Sequence, residues 1–207
     1  MKIFKLQIYL LILISLFGCN KKQNNYYLEG KKMKMPYKII IADKISNTDL
    51  EKIHVIIDET FDKIDKTFNF WNPSSELSLI NQKTTSTLSP LLYELLLLTD
   101  KMVKISDRYF DPTVGIIKKL WQEKALSNTS PDDVEVEFIK KYVGWEKIKI
   151  SSDMRIEKSI NTKIDLSAIA KGFSIDLLAK KFLLAGLNNF FIQWGGEIRC
   201  HGNRPDG

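Results

Sequence analysis

Residues 163–175 read K-I-D-L-S-A-I-A-K-G-F-S-I, and the change of period within them decides how the chain around them is organised. Ile164 and Leu166 alternate with Asp165, as in a half-buried strand. Ser167 stands where an N-cap belongs, and Ala168, Ile169, Ala170, Ile175, Leu177, Leu178 and Phe182 continue at helical spacing. A helix start of this kind presents unpaired N–H groups and the positive end of a dipole, a seat for phosphate. Asp165 would repel phosphate there unless a cation sat between them, so one reading is a Mg²⁺-assisted diphosphate site. The other is plain capping, with Ser167 satisfying the first donors and Asp165 favouring the dipole. Residue types alone leave both open.

Working toward the C-terminus, the helix is expected to stop at Gly186. Residues 190–194 then form a strand, Gly195-Gly196 a tight turn, and residues 198–201 a returning strand. On the N-terminal side, residues 147–150 and 154–157 read as a hairpin with Ser151, Ser152 and Asp153 in its turn. Ser130-Pro131-Asp132-Asp133 opens a short helix that ends before Gly144. Residues 106–121, S-D-R-Y-F-D-P-T-V-G-I-I-K-K-L-W, put Asp111 before Pro112 as a cap, with a helix through Ile116, Ile117 and Leu120. Ser89-Pro90 starts the helix of residues 91–105, apolar enough that burial on more than one face is expected. Residues 69–81 form a loop with Phe70 and Trp71 at its mouth, placed either to cover a flat ligand or to pack back on the preceding helix. That helix has Thr48 and Glu51 as a capping-box pair and a stripe of Leu50, Ile53, Ile56, Ile57, Phe61, Ile64 and Phe68, with His54 beside it at the surface. Residues 33–42 are the first strand. The whole is a single α+β domain, antiparallel sheets with packed helices, rather than a regular βαβ alternation.

Composition agrees. Of 207 residues, 44% are hydrophobic and 27% charged, enough for one sizeable core. The net charge of +6 comes from lysines scattered over amphipathic helices, without a basic stripe interleaved with aromatics, which disfavours nucleic acid. A basic surface suits an anionic ligand or an anionic membrane surface. Residues 1–18 read as a targeting segment: Lys2 and Lys5 precede an apolar run at 8–17 that is too short to span a bilayer as a helix. Leu16-Phe17-Gly18-Cys19 resembles the lipobox of bacterial lipoproteins, which implies acylation (palmitate) at Cys19. Residues 19–32 are expected to be a polar tether, and residues 33–207 the domain. Cys200 is then left without a disulfide partner and is expected to be a small buried hydrophobe.

Three segments, taken together, resemble the ApbE family of flavin transferases, which move FMN from FAD onto a protein threonine. They are F-N-F-W-N-P-S-S-E-L-S-L-I-N (residues 68–81), Y-F-D-P-T-V-G-I-I-K-K-L-W (109–121), and I-D-L-S-A-I-A-K-G-F-S-I-D (164–176) followed by W-G-G-E-I-R-C-H-G (194–202). The likeness runs from about residue 33 to the last. It implies an ApbE-like (T-fold-like) α+β fold and a chemistry in which a threonine hydroxyl attacks the FMN-side phosphorus of FAD, AMP leaves, and Mg²⁺ lies across the diphosphate. It implies FAD contacts from Met33, Trp71, Tyr109, Phe110, Asp111, Asp165 and Lys171, and a Mg²⁺ ligand at Ala168 through its backbone carbonyl. Lys34 and Met35 stand where the family often has Gly-Thr, and Trp71 stands where it commonly has Tyr. Gly172 would let the cofactor approach the helix, with Gly195-Gly196 near the same cleft.

The family's remaining metal carboxylate and the histidine proposed as base fall beyond Gly207, so the chain is expected to be an N-terminal fragment or a truncated frame, C-terminally incomplete. Alone it would bind flavin poorly and transfer nothing. His201 is the nearby candidate for a substitute base. The resemblance further implies lipid anchoring on the outer, periplasmic side of the cytoplasmic (inner) membrane and a redox membrane protein as acceptor. Two other readings stand beside it: an FAD pyrophosphatase giving FMN and AMP, and a non-catalytic flavin-binding lipoprotein.

Overall fold

The computed structural model describes residues 25–203. The expected signal segment, the acylation at Cys19, the first part of the tether and the closing residues 204–207 lie outside the described residues. In chain order the elements are β1 (Tyr26–Lys32), β2 (Met35–Ile41), α1 (Asn47–Phe68), α2 (Glu76–Ile80), β3 (Thr85–Thr87), α3 (Pro90–Ile105), α4 (Gly115–Leu126), α5 (Asp133–Lys140), β4 (Lys149–Ile150), β5 (Arg155–Glu157), α6 (Ser167–Leu184), β6 (Phe190–Trp194) and β7 (Glu197–His201). A four-stranded sheet runs β1-β2-β6-β7 and a three-stranded one β3-β5-β4. All pairs are antiparallel, as the α+β reading requires.

The larger sheet turns one face to the helices. Ile39 and Ile41 of β2 and Phe190, Ile192 and Trp194 of β6 are the alternate, buried residues of its central strands. Against them lie Ile53, Ile57, Phe61 and Ile64 of α1, the expected stripe, with Ile175, Leu178 and Phe182 of α6. Burying each such side chain contributes about 1.5–3 kcal/mol. Phe61 meets the rings of Trp194 at 5.0 Å and Tyr37 at 5.9 Å, and Phe182 meets Phe190 edge-on at 5.4 Å. Helices α1 and α6 thus share one bed, which sets the start of α6 beside the loop that leaves α1.

Several local expectations are corrected. Tyr26–Lys32 is a strand, not tether. Its lysines, glutamate and glycine make it read as polar, but Leu28 is buried in the alternation, and all seven residues pair with β2. Met33 does not open a strand. With Lys34 it forms the β1–β2 turn, both at left-handed φ (49° and 65°), the two-residue geometry that suits the sheet's twist. Gly195 and Gly196, at 55° and 96°, do the same at the same end of the sheet. The capping box of α1 is Ser46 with Asp49, two residues earlier than Thr48 with Glu51, and the first helical bond runs from Leu50 N–H to Ser46 O. Helix α3 buries Leu91, Leu92, Leu95 and Leu96 but leaves Leu97 and Ile105 exposed, so it has one broad apolar face rather than several. Cys200 is exposed, because β7 is the sheet's edge and Cys200, opposite Phe191, faces away from the helices. Among the described residues no helix is long and apolar enough to cross a membrane.

Candidate functional site

The residues leading into α6 form no strand. Lys163 makes a single parallel bridge to Val114, and Ile164, Asp165 and Leu166 are buried without a ladder. Their backbone groups are satisfied elsewhere, Asp165 N–H by Pro112 O at 2.7 Å and Ile164 by the Asn81 side chain. The approach is close: a Cβ on Gly115 would lie 2.8 Å from Lys163 O, so only glycine lets α4 begin there.

Ser167 is not the cap of α6. Leu166 occupies that position without a side-chain bond, and the capping acceptor is Asp165. Its Oδ1 takes the Ser167 N–H at 2.8 Å and the Ser167 hydroxyl as well. Its Oδ2 takes the Lys118 ammonium at 2.7 Å. The Asp165 residue is 8% exposed. Burial pushes its pKa up, but Lys118 and the two Ser167 donors outweigh that and hold it below the ordinary carboxylate value, so Asp165 is ionised at neutral pH. Asp165 therefore both accepts from the first residue of the helix and pairs with a cation, and that cation is the Lys118 ammonium.

Lys118, on the first turn of α4, extends from that carboxylate to the loop after α1. Its Nζ lies 4.9 Å from the Phe70 ring centre and 6.0 Å from that of Trp71. The two rings meet edge-on at 5.8 Å, Phe70 half-buried and Trp71 75% exposed. Asp65 fixes this loop from the end of α1 by accepting from Asn69 Nδ2 at 2.6 Å and Asn72 Nδ2 at 2.8 Å, and Asn69 Oδ1 receives the Trp71 N–H. An aromatic face, an ammonium and a helix start thus meet at one corner.

Asp111 borders this corner but is not a helix cap. Helix α4 begins only at Gly115, and Asp111 Oδ1 accepts from the Thr113 N–H and hydroxyl, closing the turn that presents Pro112 O to Asp165. Phe110 is half-buried against the core, whereas Tyr109 is 95% exposed and the structure ties it to the corner by neither hydrogen bond nor ring contact. On the other side of the α6 start, Lys171 Nζ reaches Gly195 O and Glu197 Oε1, each at 3.2 Å. The β6–β7 turn it touches lies beside Pro36 and at the end of the sheet where Met33 turns. Ala168 is exposed between the two groups. A Cβ on Gly172 would meet no atom within 4 Å, so the space over it is open. Asp165, Trp71, Asp111, Lys171 and Ala168 therefore frame one helix start, Met33 lies at its sheet side, and Tyr109 stands apart.

His201 is not placed as a base for this corner. It stacks on Phe190 at 5.6 Å, at the end of the β6–β7 pair away from Gly195. Among the described residues no three metal-ligating side chains gather. Asp165 has both oxygens engaged and Ala168 offers only a carbonyl, so these residues do not by themselves complete the oxygen shell that Mg²⁺ requires. A groove of about 510 Å³ lies across β1, β2 and β6, lined by Glu29, Lys31, Pro36, Lys38, Gln193 and the Gly195-Gly196 turn. It meets the residues above at Pro36 and that turn, and it includes neither Asp165 and Lys118 nor the Phe70 and Trp71 rings. Sequence reasoning missed Lys118, whose partner is 47 positions away, and Asn81, which read as the end of a loop.

A model of the ApbE family matches residues 33–207. The chain is 36% identical over 206 residues to the FAD:protein FMN transferase of Chlamydia trachomatis, an alignment covering 96% of this chain and 65% of that protein. It is 27% identical over 200 residues to the FAD:protein FMN transferase of Vibrio cholerae, covering 94% and 60%. It therefore spans just under two thirds of the length of these curated relatives. Among solved structures, the flavin transferase ApbE from Vibrio cholerae superposes with a TM-score of 0.82 at 26% identity, over 89% of this chain and 61% of that one. The apo flavinyl transferase ApbE of Pseudomonas stutzeri shares the fold, with a TM-score of 0.80 at 19% identity over 89% and 61%. A family match over most of the chain, with the same fold beneath it, places this protein in the ApbE family.

Proposed function

We propose that the α6 corner is the flavin-nucleotide site of a transferase that moves FMN from FAD to a threonine hydroxyl of an acceptor protein and releases AMP. The observation that carries this is the ionised Asp165 at a helix start, held by Ser167 and by Lys118, whose ammonium also lies against the Phe70 and Trp71 rings. Aromatic faces suit a flat ring system, and the ammonium and the helix start suit a diphosphate. In the step, the threonine oxygen bonds to the phosphorus of the FMN half, the bond from that phosphorus to the bridging oxygen breaks, and AMP carries the bridging oxygen away. The hydroxyl proton passes to a base, which we assign to no residue of this chain. A carboxylate held ionised as Asp165 is makes a weak base, so its work is to orient and to hold charge.

Mg²⁺ belongs to this reading through the family resemblance, and when bound it would neutralise the diphosphate. Ala168 would offer its carbonyl, and water and the diphosphate itself would supply further oxygens. Acylation at Cys19, anchoring on the periplasmic side of the cytoplasmic membrane, and a redox membrane protein as acceptor complete the proposal.

The test supplies FAD, Mg²⁺ and an acceptor to the protein extended to its relatives' length and follows flavin fluorescence on denaturing gels. Flavin on the acceptor supports transfer, whereas FMN released free points to the pyrophosphatase. Asp165→Ala should abolish labelling while the protein stays folded. Full labelling by that variant would remove the corner from the mechanism.

A further inference from the structure

Asp165 lies outside any strand, yet its main chain is fastened on both sides, and one fastening is a side chain. Asn81, at the C-terminal end of α2, is 8% exposed. Its Oδ1 accepts the Ile164 N–H at 2.8 Å and its Nδ2 donates to Ile164 O at 2.9 Å. The side chain thus pairs with Ile164 as a neighbouring strand would. A short primary amide carries the donor and acceptor this needs, whereas aspartate lacks the donor and an aliphatic residue lacks both.

The amide is itself stationary. Asn81 N–H bonds Leu77 O at 3.0 Å, and Asn81 O accepts Lys163 Nζ at 2.6 Å. On the far side, Asp165 N–H is held by Pro112 O at 2.7 Å. Between these two fastenings the Asp165 Cα has little room, and its carboxylate is delivered to Lys118 on one side and Ser167 on the other.

We propose that Asn81 is a positioning residue for Asp165, acting through the Ile164 peptide and touching no ligand itself. The inference rests on the assignment of Asp165 to the flavin-nucleotide site. The competing account is that Asn81 merely satisfies two buried backbone groups, which would cost stability when lost but would not re-aim the carboxylate.

The experiment compares the protein extended to its relatives' length, as in the transfer assay, with its Asn81→Ala, Asp165→Asn and double variants. It reads the ¹³C chemical shift of the Asp165 carboxyl at neutral pH, the melting temperature, and FAD affinity by flavin fluorescence with Mg²⁺ present. Asn81→Ala should move the Asp165 carboxyl resonance and weaken FAD binding about tenfold, the usual scale for a group supporting a site residue. In the Asp165→Asn background it should weaken binding no further. Asn81→Asp, which keeps the shape and the acceptor, takes its place if the alanine variant does not fold. An unmoved carboxyl resonance in a folded variant would overturn the inference, as would an equal loss of affinity in both backgrounds. If the resonance moves while FAD affinity responds to neither substitution, the positioning role stands and the flavin reading of the corner fails.

Discussion

Lys118→Met removes the ammonium 2.7 Å from Asp165 Oδ2 while keeping most of the aliphatic stem. The Asp165 side chain is 7% exposed and that of Lys118 34%. The pair therefore stands between a surface bridge, worth about 0–1 kcal/mol, and a buried one, whose breaking costs about 3–5 kcal/mol. Water reaches the lysine side and Ser167 still donates to Oδ1, so a loss of about 1–3 kcal/mol at pH 7 is expected. The pH dependence gives a sharper test. In the wild type, burial is outweighed and the folded carboxyl lies below its unfolded value of 3.8. That contribution is present above the unfolded value and is lost as pH falls through the folded one. Without Lys118 only Ser167 opposes burial, and the folded carboxyl lies higher than in the wild type. Protonation then costs the folded variant less than the wild type, so its deficit is largest at pH 7 and shrinks toward pH 4. Urea unfolding at pH 7, 5.5 and 4 measures this, and Lys118→Met combined with Asp165→Asn should regain most of the loss. A deficit under about 0.5 kcal/mol, within the scatter of ordinary surface substitutions, or one that ignores pH, would refute the reasoning.

Trp71→Ala should leave stability within about 0.5 kcal/mol, because the ring is largely exposed, yet weaken FAD binding several-fold in a fluorescence titration. Lys158 is buried, with its ammonium on Lys83 O, Ser159 O and Thr162 O, and burial lowers its pKa to about 8. Its unfolded form holds the proton longer, so wild-type stability should gain on Lys158→Met as pH rises from about 8 to 10.5, by about 1–3 kcal/mol in denaturant melts. Ser46→Ala opens the capping box of α1 and should cost about 1 kcal/mol in the same assay.

What could be read beforehand follows the range of the interactions involved. The α1 stripe, the Ser89-Pro90 start, the β4–β5 hairpin and the Gly195-Gly196 turn are written within a few neighbouring residues, and the structure has them. Residues 26–32 misled because an edge strand needs only Leu28 on the core side and tolerates lysines elsewhere. The start of α6 misled for a different reason. The alternation of Ile164 and Leu166 around Asp165 fits a strand, but their backbone partners are Asn81 and Pro112, and no local pattern announces those. The same holds at the corner itself. Asp165 and Trp71 stood out by residue type and resemblance, whereas Lys118 looked like any helical lysine until α4 was laid against residue 163.

The manner in which Asp165 is fastened has a kinetic consequence. Positions 81, 112 and 118 fasten residues 164 and 165 from separate loops and helices, with Phe70 against Lys118, so no short fragment can reproduce the arrangement, and it must mature late, after distant segments have docked. A nucleotide bound there would recognise only the completed architecture. Its affinity would then report on the joint docking of α2, α4 and the loop after α1 at the α6 start, and saturation with it would slow global opening rather than quiet a single loop.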